Sequence, residues 1–579
     1  MWRRRQMAQS QVKEDGARLT MVAALFFLMA LLIGSRLFYL QVLKHSFYEA
    51  EARKQHGEAE LVEAKRGLIY SLDRNNKDFA IADNRELYLL FAVPCEIKDA
   101  TTTINKLSSI LELNPEEKLK IWLQLKKEND PYEPLRHYLK EEEKKKIEEL
   151  KIAGLNFLPE VKRFYPDNNI FSHITGFVGF KGEELAGRYG LEEFFEKELK
   201  GALGEIIWEK DPAGRLIGSG EFNLQPAQDG TDIYLNIDRQ IQFKTCGILA
   251  EAVAKSKAEG GVAIVQDPNN GAILALCNEP NFDPNNYGQV ENIGVYTNQA
   301  VVSLYEPGSI FKAITMAAAL ESGVVGPETT YEDKGVLFFD KDKVTNAGNK
   351  VYGWQTMTQV LENSINTGAV FAAQKTGRSN FKKYVKDFGF GSVTGIELPG
   401  EAKGDVAALD KKGDIYLATN SFGQGLAVTP IQMISAFSAI ANGGTLWKPW
   451  LIKKTVNFEG QTEEDKGEKV RRVISEQTAN ILKAMLVSVV ENGHAKVAQV
   501  KGYFVGGKTG TAQIPAPSGG YLNAYNHSFV GFAPAINSRF VVLVKITNPQ
   551  ALYAESTAAP AFAEIMGFLL NYYQIATER

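Results

Sequence analysis

The chain has 579 residues, and its 65 lysines and arginines nearly balance 69 aspartates and glutamates, for a formal net charge of −4 at pH 7. Nucleic acid is therefore not an expected partner. The length predicts several domains, and a hydrophobic content of 44% is enough to fill large cores. Cys95, Cys246 and Cys277 are widely spaced and the histidines form no HExxH pair, so the sequence indicates no metal site, no cofactor and no need for a disulfide.

A basic segment precedes a long apolar run at the N-terminus. The apolar run extends from Leu19 to Gly34 and resumes after Arg36, which is about the length that a transmembrane helix needs. Basic residues before such a run predict a cytoplasmic N-terminus. A cleaved signal peptide and a buried core helix are the alternatives, but no A-x-A-like cleavage site follows the run. We therefore expect a cytoplasmic tail over residues 1–18 and an uncleaved transmembrane anchor over residues 19–40.

The segment that follows the expected anchor is mixed and rich in charge. Between residues 116 and 155, Lys and Glu are interleaved with Leu, Ile and Trp at helical spacing, which predicts amphipathic surface helices. Glycines divide the remainder, as in a loop-rich domain with short strands. The composition changes at residues 226–230. We therefore expect one domain over residues 41–230 and a second over residues 231–579.

The second domain is predicted to have strands near both ends and helices between them. The apolar runs that predict strands are at residues 232–237, 262–265, 272–276, 528–532 and 540–546. The helical patterns are at residues 238–257, at residues 560–573 and in a run that begins at Ser309. This arrangement predicts an α/β (α+β) domain whose antiparallel sheet is assembled from both ends of the segment.

Three short motifs occur in one order within this second domain. The motifs are Ser309-Ile310-Phe311-Lys312, Ser364-Ile365-Asn366 and Lys508-Thr509-Gly510-Thr511. A serine three residues before a lysine places both side chains on one face of a helix, one turn apart, as a nucleophile with a base beside it. The second motif supplies a hydroxyl and an amide for proton relay and substrate positioning. The third supplies a cation and a hydroxyl for an anionic group of the substrate.

The sequence around each motif separates it from a match by chance. Ser309 follows a Pro-Gly break and opens a long apolar helical run. We expect this serine at a helix N-terminus, where backbone N–H groups and the helix dipole favour negative charge. Lys508 lies in a β-rich stretch next to glycines, which predicts a strand edge that faces a cleft.

Other segments match the same patterns in a different setting. Ser379 with Lys382 matches the first motif, and Lys375-Thr376-Gly377 matches the third. Lys375 ends a helical run, and Gly377 is placed as a helix C-terminal glycine. We expect neither segment to belong to the site.

Penicillin-binding proteins and serine β-lactamases use this set of motifs, and after the anchor almost the whole chain resembles a class B penicillin-binding protein, a monofunctional peptidoglycan D,D-transpeptidase. In the second domain the resemblance includes Tyr305-Glu306-Pro307-Gly308-Ser309, Gly423-Gln424-Gly425 and Ser528-Phe529-Val530-Gly531-Phe532. In the first domain it includes Arg66-Gly67-Leu68-Ile69, Arg163-Phe164-Tyr165-Pro166 and Gly176-Phe177-Val178-Gly179. Glu306 stands where the elongation branch more often has a proline, which favours the division and sporulation branch.

The resemblance implies a fold for each domain and a role for each motif residue. The first domain resembles an elongated pedestal of the dimerisation type, and the second a transpeptidase domain similar to penicillin-binding proteins and serine β-lactamases. Ser309 would attack the penultimate D-Ala carbonyl of a stem peptide, and Lys312 would accept the serine proton. Ser364 would pass the proton to the leaving D-Ala, and Asn366 would hold Lys312 and the substrate amide.

The resemblance also assigns the third motif to substrate binding. Lys508 with Thr509 and Thr511, on either side of Gly510, would bind the terminal carboxylate of the stem peptide. Backbone N–H groups of Ser309 and Thr511 would form the oxyanion hole. An amine of a second stem peptide would then release the acyl group from the serine.

The implied partners are stem peptides that end in D-Ala-D-Ala, β-lactam antibiotics, a membrane glycosyltransferase and other division or elongation proteins. The implied location is the bacterial cytoplasmic membrane, in a single pass with the catalytic domain outside. One alternative is a β-lactam-binding receptor or scaffold without transfer activity, although only about eighteen residues precede the expected anchor. Another is a D,D-carboxypeptidase or β-lactamase, although the large first domain argues against both.

Overall fold

The computed structural model describes residues 21–44, 57–62, 64–127, 130–182, 184–209, 223–516 and 519–579. These residues form two compact units. One consists of the described parts of residues 1–64 and 201–228, and the other of the described parts of residues 65–200 and 229–579. The expected cytoplasmic tail over residues 1–18 lies outside the described residues.

The first unit contains one long apolar helix, Met21–Val42. Its 22 residues are enough to cross a bilayer, and most of its large apolar side chains are exposed. The helix covers most of the predicted anchor. An antiparallel sheet completes this unit, with the strands in the order Gly57–Val62, Gly204–Glu209 and Asn223–Gln225.

The second unit is built on two large sheets, of which the first has seven strands. The seven strands are Ile69–Leu72, Asp78–Ala92, Glu133–Leu139, Leu155–Phe164, Asp232–Asp238, Ile452–Val456 and Thr462–Glu464. The strand predicted at residues 232–237 is present, but it pairs in parallel with Ile69–Leu72 and belongs to this sheet, not to the sheet formed by the other four predicted strands. Ile69 and Ile233 are partners in this pairing and both are fully buried. This sheet therefore joins strands from both sides of residue 230, because the apolar face of each needs the other for its burial.

Short helices accompany this seven-stranded sheet. They are Ala100–Leu111, Pro115–Leu125, Glu141–Glu149, Ser172–Thr175, Gly190–Phe194 and Glu196–Lys200. The charged segment at residues 116–155 is amphipathic as predicted, since Ile121 and Ile147 lie in a small core with Leu90 and Ile104. The strand Glu133–Leu139 within that segment was not predicted, because its polar residues mask the alternation.

The second sheet has five antiparallel strands. Their order is Ile273–Glu279, Gly260–Gln266, Phe540–Thr547, Tyr521–Ala533 and Gly506–Pro515. Two strands come early in the second domain and three come late, so the predicted assembly from both ends is confirmed. The strand Gly506–Pro515, which carries Lys508, forms one edge.

The register of this sheet decides which way the edge strand points its side chains. Thr509 is paired with Phe529, and Phe529 packs on Phe562 of the C-terminal helix with 4.5 Å between ring centroids. Side chains alternate between the two faces of a strand. Lys508 therefore points to the face opposite the C-terminal helix.

Helices and short hairpins surround the five-stranded sheet. The helices are Arg239–Ser256, Gln299–Val302, Lys312–Glu321, Met357–Glu362, Asn366–Thr376, Arg378–Asp387, Asp414–Ser421, Pro430–Ala441, Glu476–Glu491 and Ala558–Tyr572. The short strand pairs of the second unit are Phe177–Lys181 with Glu184–Arg188, Thr330–Asp333 with Gly353–Thr356, Val336–Phe339 with Asp342–Thr345, and Thr445–Trp447 with Lys469–Arg472. One continuous hydrophobic cluster, from Ile69 to Leu570, fills the space between most of these elements.

Two of the three cysteines are joined, which corrects the expectation that no disulfide is needed. Cys246 on the helix Arg239–Ser256 is bonded to Cys277 on the strand Ile273–Glu279. Cys95 is free and exposed. The two bonded cysteines meet because this helix packs on that strand, and a long-range contact of this kind leaves no trace in the cysteine spacing.

Candidate active site

Ser309 lies in a short 3-10 turn, Gly308–Phe311, which continues into the helix Lys312–Glu321. The helix is buried from Lys312 to Leu320, as its Ala, Ile and Met side chains require. The other residues of the turn are buried, whereas Ser309 is partly exposed. The fold therefore presents this serine at the surface of an otherwise buried helix start.

The turn that carries Ser309 is held by a neighbouring segment, residues 423–428. Tyr305 and Val428 exchange two backbone hydrogen bonds of 3.0 Å, and the N–H of Gly308 donates to the carbonyl of Gly423 at 3.1 Å. Gly423 has a φ of +79°, and a Cβ there would lie 2.4 Å from the Gly308 oxygen. Only glycine fits this close approach, which explains the first glycine of the Gly-Gln-Gly segment.

Lys312 is 1% exposed, and its ammonium nitrogen contacts three oxygens. Nζ donates to the Ser364 carbonyl at 2.5 Å and to Asn366 Oδ1 at 2.7 Å, and Ser364 Oγ lies at 3.2 Å. All three oxygens are neutral. Burial, together with the positive charge of Lys508, holds the pKa of Lys312 well below its ordinary value of 10.5. The lowered pKa makes the nitrogen of Lys312 more available to accept a proton than that of an exposed lysine.

Ser364 lies in the turn between the helices Met357–Glu362 and Asn366–Thr376, and Asn366 is the first residue of the second helix. Ser364 has a φ of +53°, a conformation that costs about 1 kcal/mol or more for a non-glycine residue and that the surroundings must impose. Asn366 Nδ2 donates to the Thr345 carbonyl at 2.8 Å. Its Oδ1 therefore faces Lys312.

Lys508 reaches the same turn from the edge strand. It is 1% exposed, and its Nζ donates to Ser364 Oγ at 3.0 Å. Burial lowers the pKa of Lys508 to about 8, and Glu555 opposes that shift. The Ser364 hydroxyl is therefore within hydrogen-bond distance of two buried lysines at once.

The edge strand passes very close to the turn that carries Ser309. A Cβ on Gly510 would lie 2.5 Å from Ser528 Oγ, 3.0 Å from the Pro307 oxygen and 3.0 Å from Ile310 Cγ2. Glycine at position 510 is thus required by packing. Gly510 therefore allows the edge strand to lie beside the turn that carries Ser309.

The two threonines of the third motif alternate with Lys508 and Gly510 along the strand. Thr509 is buried, and Lys508 Nζ lies 3.5 Å from its Oγ1. Thr511 is partly exposed. The structure thus links Lys312, Ser364, Asn366 and Lys508 by direct contacts, and places Ser309, Thr509, Gly510 and Thr511 in the two segments that adjoin them.

The segments that match the motifs outside the expected site are surface features. Ser379 is exposed on the helix Arg378–Asp387, and Lys382 forms an ion pair with Asp410. Lys375 is exposed in the last turn of its helix, and Gly377 follows with a φ of +78°. The expectation that Gly377 follows the end of a helix is confirmed.

Sequence reasoning assigned no role to the side chain of Glu306, three residues before Ser309. Glu306 is buried, and its carboxylate accepts the Gly425 N–H at 2.9 Å and the Tyr521 hydroxyl at 3.0 Å. Burial raises the pKa of Glu306, and the two hydrogen bonds oppose that shift. The only sequence signal was its place beside the Pro-Gly break, which does not reveal either partner.

Two protein families match separate parts of the chain. The family described as penicillin binding protein transpeptidase domain matches residues 261–567, and the penicillin-binding protein dimerisation domain matches residues 61–235. The first match covers more than half of the chain and includes all three motifs.

Similar proteins extend over nearly the whole chain. Stage V sporulation protein D of Bacillus subtilis is 35% identical over 555 residues, which cover 95% of this chain and 84% of that protein. Peptidoglycan D,D-transpeptidase FtsI of Escherichia coli K12 is 30% identical over 571 residues, which cover 94% and 90%. Penicillin binding protein 3 of Mycobacterium tuberculosis, solved in complex with aztreonam, is 26% identical with a TM-score of 0.67, covering 90% of this chain and 98% of that one.

A serine with a buried lysine beside it, on a helix against the edge of a five-stranded sheet, defines a serine acyltransferase of the penicillin-binding type. The chain belongs to the class B penicillin-binding proteins, within the branch that includes the division and sporulation enzymes. Its catalytic domain is a serine D,D-transpeptidase, and the predicted fold class is confirmed.

Proposed function

We propose that this chain cross-links peptidoglycan stem peptides through an acyl-enzyme on Ser309, and that β-lactams inhibit it by acylating the same residue. One observation carries the proposal. The Ser364 hydroxyl lies 3.2 Å from Lys312 Nζ and 3.0 Å from Lys508 Nζ, so all three motifs meet at one point.

Acylation begins with proton transfer from Ser309 to Lys312. Burial and the charge of Lys508 keep Lys312 neutral often enough to take this proton. Ser309 Oγ then bonds to the carbonyl carbon of the penultimate D-Ala, and the carbonyl becomes an oxyanion. The N–H groups of Ser309 and Thr511 bind that oxyanion, and one such donor typically lowers the barrier by about 3 kcal/mol.

Release of D-Ala needs a proton on its amine nitrogen. Ser364 donates its own proton to that nitrogen and regains one from Lys312, since its hydroxyl lies within reach of the lysine. The peptide bond breaks, and the donor peptide remains as an ester of Ser309. An amine of a second stem peptide then attacks the ester carbonyl, the bond from the carbonyl carbon to Ser309 Oγ breaks, and the amine proton passes through Lys312 to Ser309. The energy of the first peptide bond is thus kept in the cross-link.

Lys508 binds the terminal carboxylate of the donor, with Thr509 and Thr511 as further hydrogen-bond donors beside Gly510. A lysine with a pKa of about 8 is mainly protonated at neutral pH. In the described part of the chain the strand Gly506–Pro515 is the edge strand of its sheet, and an extended peptide can add to such an edge as a further strand. Asn366 supplies an amide to the substrate backbone while its Oδ1 holds Lys312.

The proposal places residues 1–18 in the cytoplasm, the anchor at residues 19–40 and the rest outside the membrane. The basic residues before the apolar run support this orientation. The disulfide between Cys246 and Cys277 supports it too, because disulfides persist in oxidising compartments. Residues 41–230 form the pedestal and residues 231–579 the transpeptidase domain, and the pedestal meets a membrane glycosyltransferase and other division proteins.

The decisive experiment uses the full-length chain in detergent. It is incubated with a penicillin and digested, and mass spectrometry locates the adduct, which we expect on Ser309 and not on Ser379. A second incubation supplies a D-Ala-D-Ala stem peptide together with a D-amino acid. Exchange of the terminal residue should outrun hydrolysis. Faster hydrolysis would identify a D,D-carboxypeptidase, and acylation by penicillin without either peptide reaction would identify a receptor.

A further inference from the structure

A buried carboxylate lies behind the segment that carries Ser364 and Asn366. Asp333 is 2% exposed. Its oxygens accept the Thr367 hydroxyl at 2.6 Å, the Asn346 amide at 2.9 Å and the backbone N–H of Tyr352 at 2.8 Å, among other donors. Within the described part of the chain it has no lysine or arginine partner, so neutral donors alone hold this charge.

Asp333 decides how the Asn346 amide is oriented. Asn346 Nδ2 donates to both oxygens of Asp333 and to the Lys350 carbonyl at 3.1 Å. A side-chain amide whose N–H groups are occupied in this way must turn its oxygen to the other side. Asn346 Oδ1 accordingly accepts the backbone N–H of Thr367 at 3.1 Å.

The residues that precede Asn346 and Thr367, which are Thr345 and Asn366, are also hydrogen-bonded to each other. The Thr345 carbonyl accepts Asn366 Nδ2 at 2.8 Å, which leaves Asn366 Oδ1 facing Lys312 Nζ at 2.7 Å. Residues 345 and 346 thus accept hydrogen bonds from residues 366 and 367. Asp333 stabilises this pair of contacts, because it accepts hydrogen bonds from both Asn346 and Thr367.

We propose that Asp333 is a positioning residue for acyl transfer, and that it acts through Asn346 and Thr367 to keep the Asn366 amide oxygen aimed at Lys312. The inference rests on the proposed function of the same site. Hydrogen bonds to a buried ionised group are short and strong, so a rigid contact is expected. If the contact is lost, Asn366 can rotate and the strained φ of Ser364 can relax, and both changes displace the partners of Lys312.

The test compares hydroxyl removal at two ends of one helix. Thr367→Val deletes the hydroxyl that donates to Asp333. Thr376→Val, the matched control, deletes a buried hydroxyl that donates only to the Ala372 carbonyl of its own helix. Thr367→Ser, a second control, keeps the hydroxyl at this position. For each full-length variant, stopped-flow with a fluorescent penicillin separates the dissociation constant of the first complex from the rate constant of acylation.

We expect Thr367→Val to slow the acylation step about tenfold or more, with the dissociation constant changed by less than about twofold. Thr367→Ser and Thr376→Val should acylate at close to the parent rate. Thr367→Val removes a donor from a buried carboxylate, so its thermal midpoint should fall further than that of Thr376→Val, and acylation is compared per folded molecule. A purely structural role would lower stability without separating the two constants in this way.

Asp333→Asn provides the second variant, and it is used alone if Thr367→Val does not fold. It should slow acylation as Thr367→Val does, and the double variant should be no slower than the slower single one, because both act on one path. Acylation at the parent rate in a folded Thr367→Val or Asp333→Asn chain overturns the inference while the proposed function stands. A parent chain that penicillin does not acylate on Ser309 overturns both.

Discussion

The pedestal and the active site both bury charge, but they do so in opposite ways. In the pedestal, the fully buried Glu192 is paired with Arg66 at 2.6 Å and with Arg163 at 2.7 Å. In the active site, Lys312 and Lys508 are equally buried, yet within the described part of the chain neither forms an ion pair, and hydroxyl, carbonyl and amide oxygens are their partners.

The two arrangements have different consequences for protonation. Burial alone would raise the pKa of Glu192, but Arg163 and Arg66 outweigh it, and the pKa lies below the ordinary value. Glu192 therefore stays charged. Burial lowers the pKa of Lys312 and the nearby Lys508 lowers it further. A paired charge is suited to holding segments together, whereas an unpaired lysine is held where it can exchange a proton.

Lys312→Arg should produce the largest loss of activity. Arginine cannot deprotonate to act as a base, so the acylation rate should fall by about 10³-fold. Lys508→Arg keeps a cation for the carboxylate and changes only its shape and reach, so it should retain far more activity. Acylation rates of both variants with one β-lactam decide the matter. Equal rates would show that Lys312 is not the general base.

Glu192→Gln should produce the largest loss of stability. Within the described part of the chain the change leaves the buried Arg163 without a countercharge, whereas Arg66 keeps its ion pair with Glu196 at 2.6 Å. Breaking a buried pair in this way typically costs about 3–5 kcal/mol. Denaturant unfolding of the full-length chain measures the loss, and acylation per folded molecule should be unchanged. Glu251→Gln, in an exposed pair with Lys255, is the matched control and should have little effect. An equally small effect of Glu192→Gln would contradict a stabilising role for the ion pairs of Glu192 with Arg66 and Arg163.

Sequence alone predicted the local parts of the active site well. Ser309 and Lys312 are three residues apart, so helical geometry places them together, and the β-rich run around Lys508 indicated the edge strand. The partners that come from far along the chain were not predictable. Asp333 and Thr367 lie in separate elements, and their contact depends on how the strand Thr330–Asp333 packs on the helix Asn366–Thr376, which periodicity does not encode.

The fold shows the same division between local and long-range information. The hairpin at residues 260–279 follows from two apolar runs joined by turn residues, and the two runs pair as antiparallel strands. The strand Asp232–Asp238 was recognised as a strand, but its parallel pairing with Ile69–Leu72 was not. The alternation of a strand reveals that one face is buried, and not which strand lies beside it.

Lys508→Met should stabilise the protein while it weakens substrate binding. Lys508 has a pKa of about 8 in the fold against an ordinary value of 10.5, so the unfolded chain binds more protons between these pH values. The lysine therefore destabilises the fold at neutral pH, and stability rises with pH across that window. Methionine removes this cost, for a gain of about 1 kcal/mol. The gain should shrink as unfolding is measured from pH 7 towards pH 10. A loss of stability at pH 7 would show that Lys508 is satisfied by its neutral partners.

The smallest effect is expected in the pH dependence of acylation by a β-lactam that carries a carboxylate. Lys312 must be neutral to accept the serine proton, so the rate should rise with pH through its depressed pKa. Lys508 must be protonated to bind the carboxylate, so binding should weaken as pH rises above about 8. Arginine stays charged throughout this range. In Lys508→Arg, binding should therefore no longer weaken at high pH, while the acylation rate should still fall at low pH. Dissociation constants and acylation rate constants measured from pH 6 to pH 10 separate the two limbs. An alkaline fall that persists in Lys508→Arg would assign it to another group and would remove Lys508 as the carboxylate-binding cation.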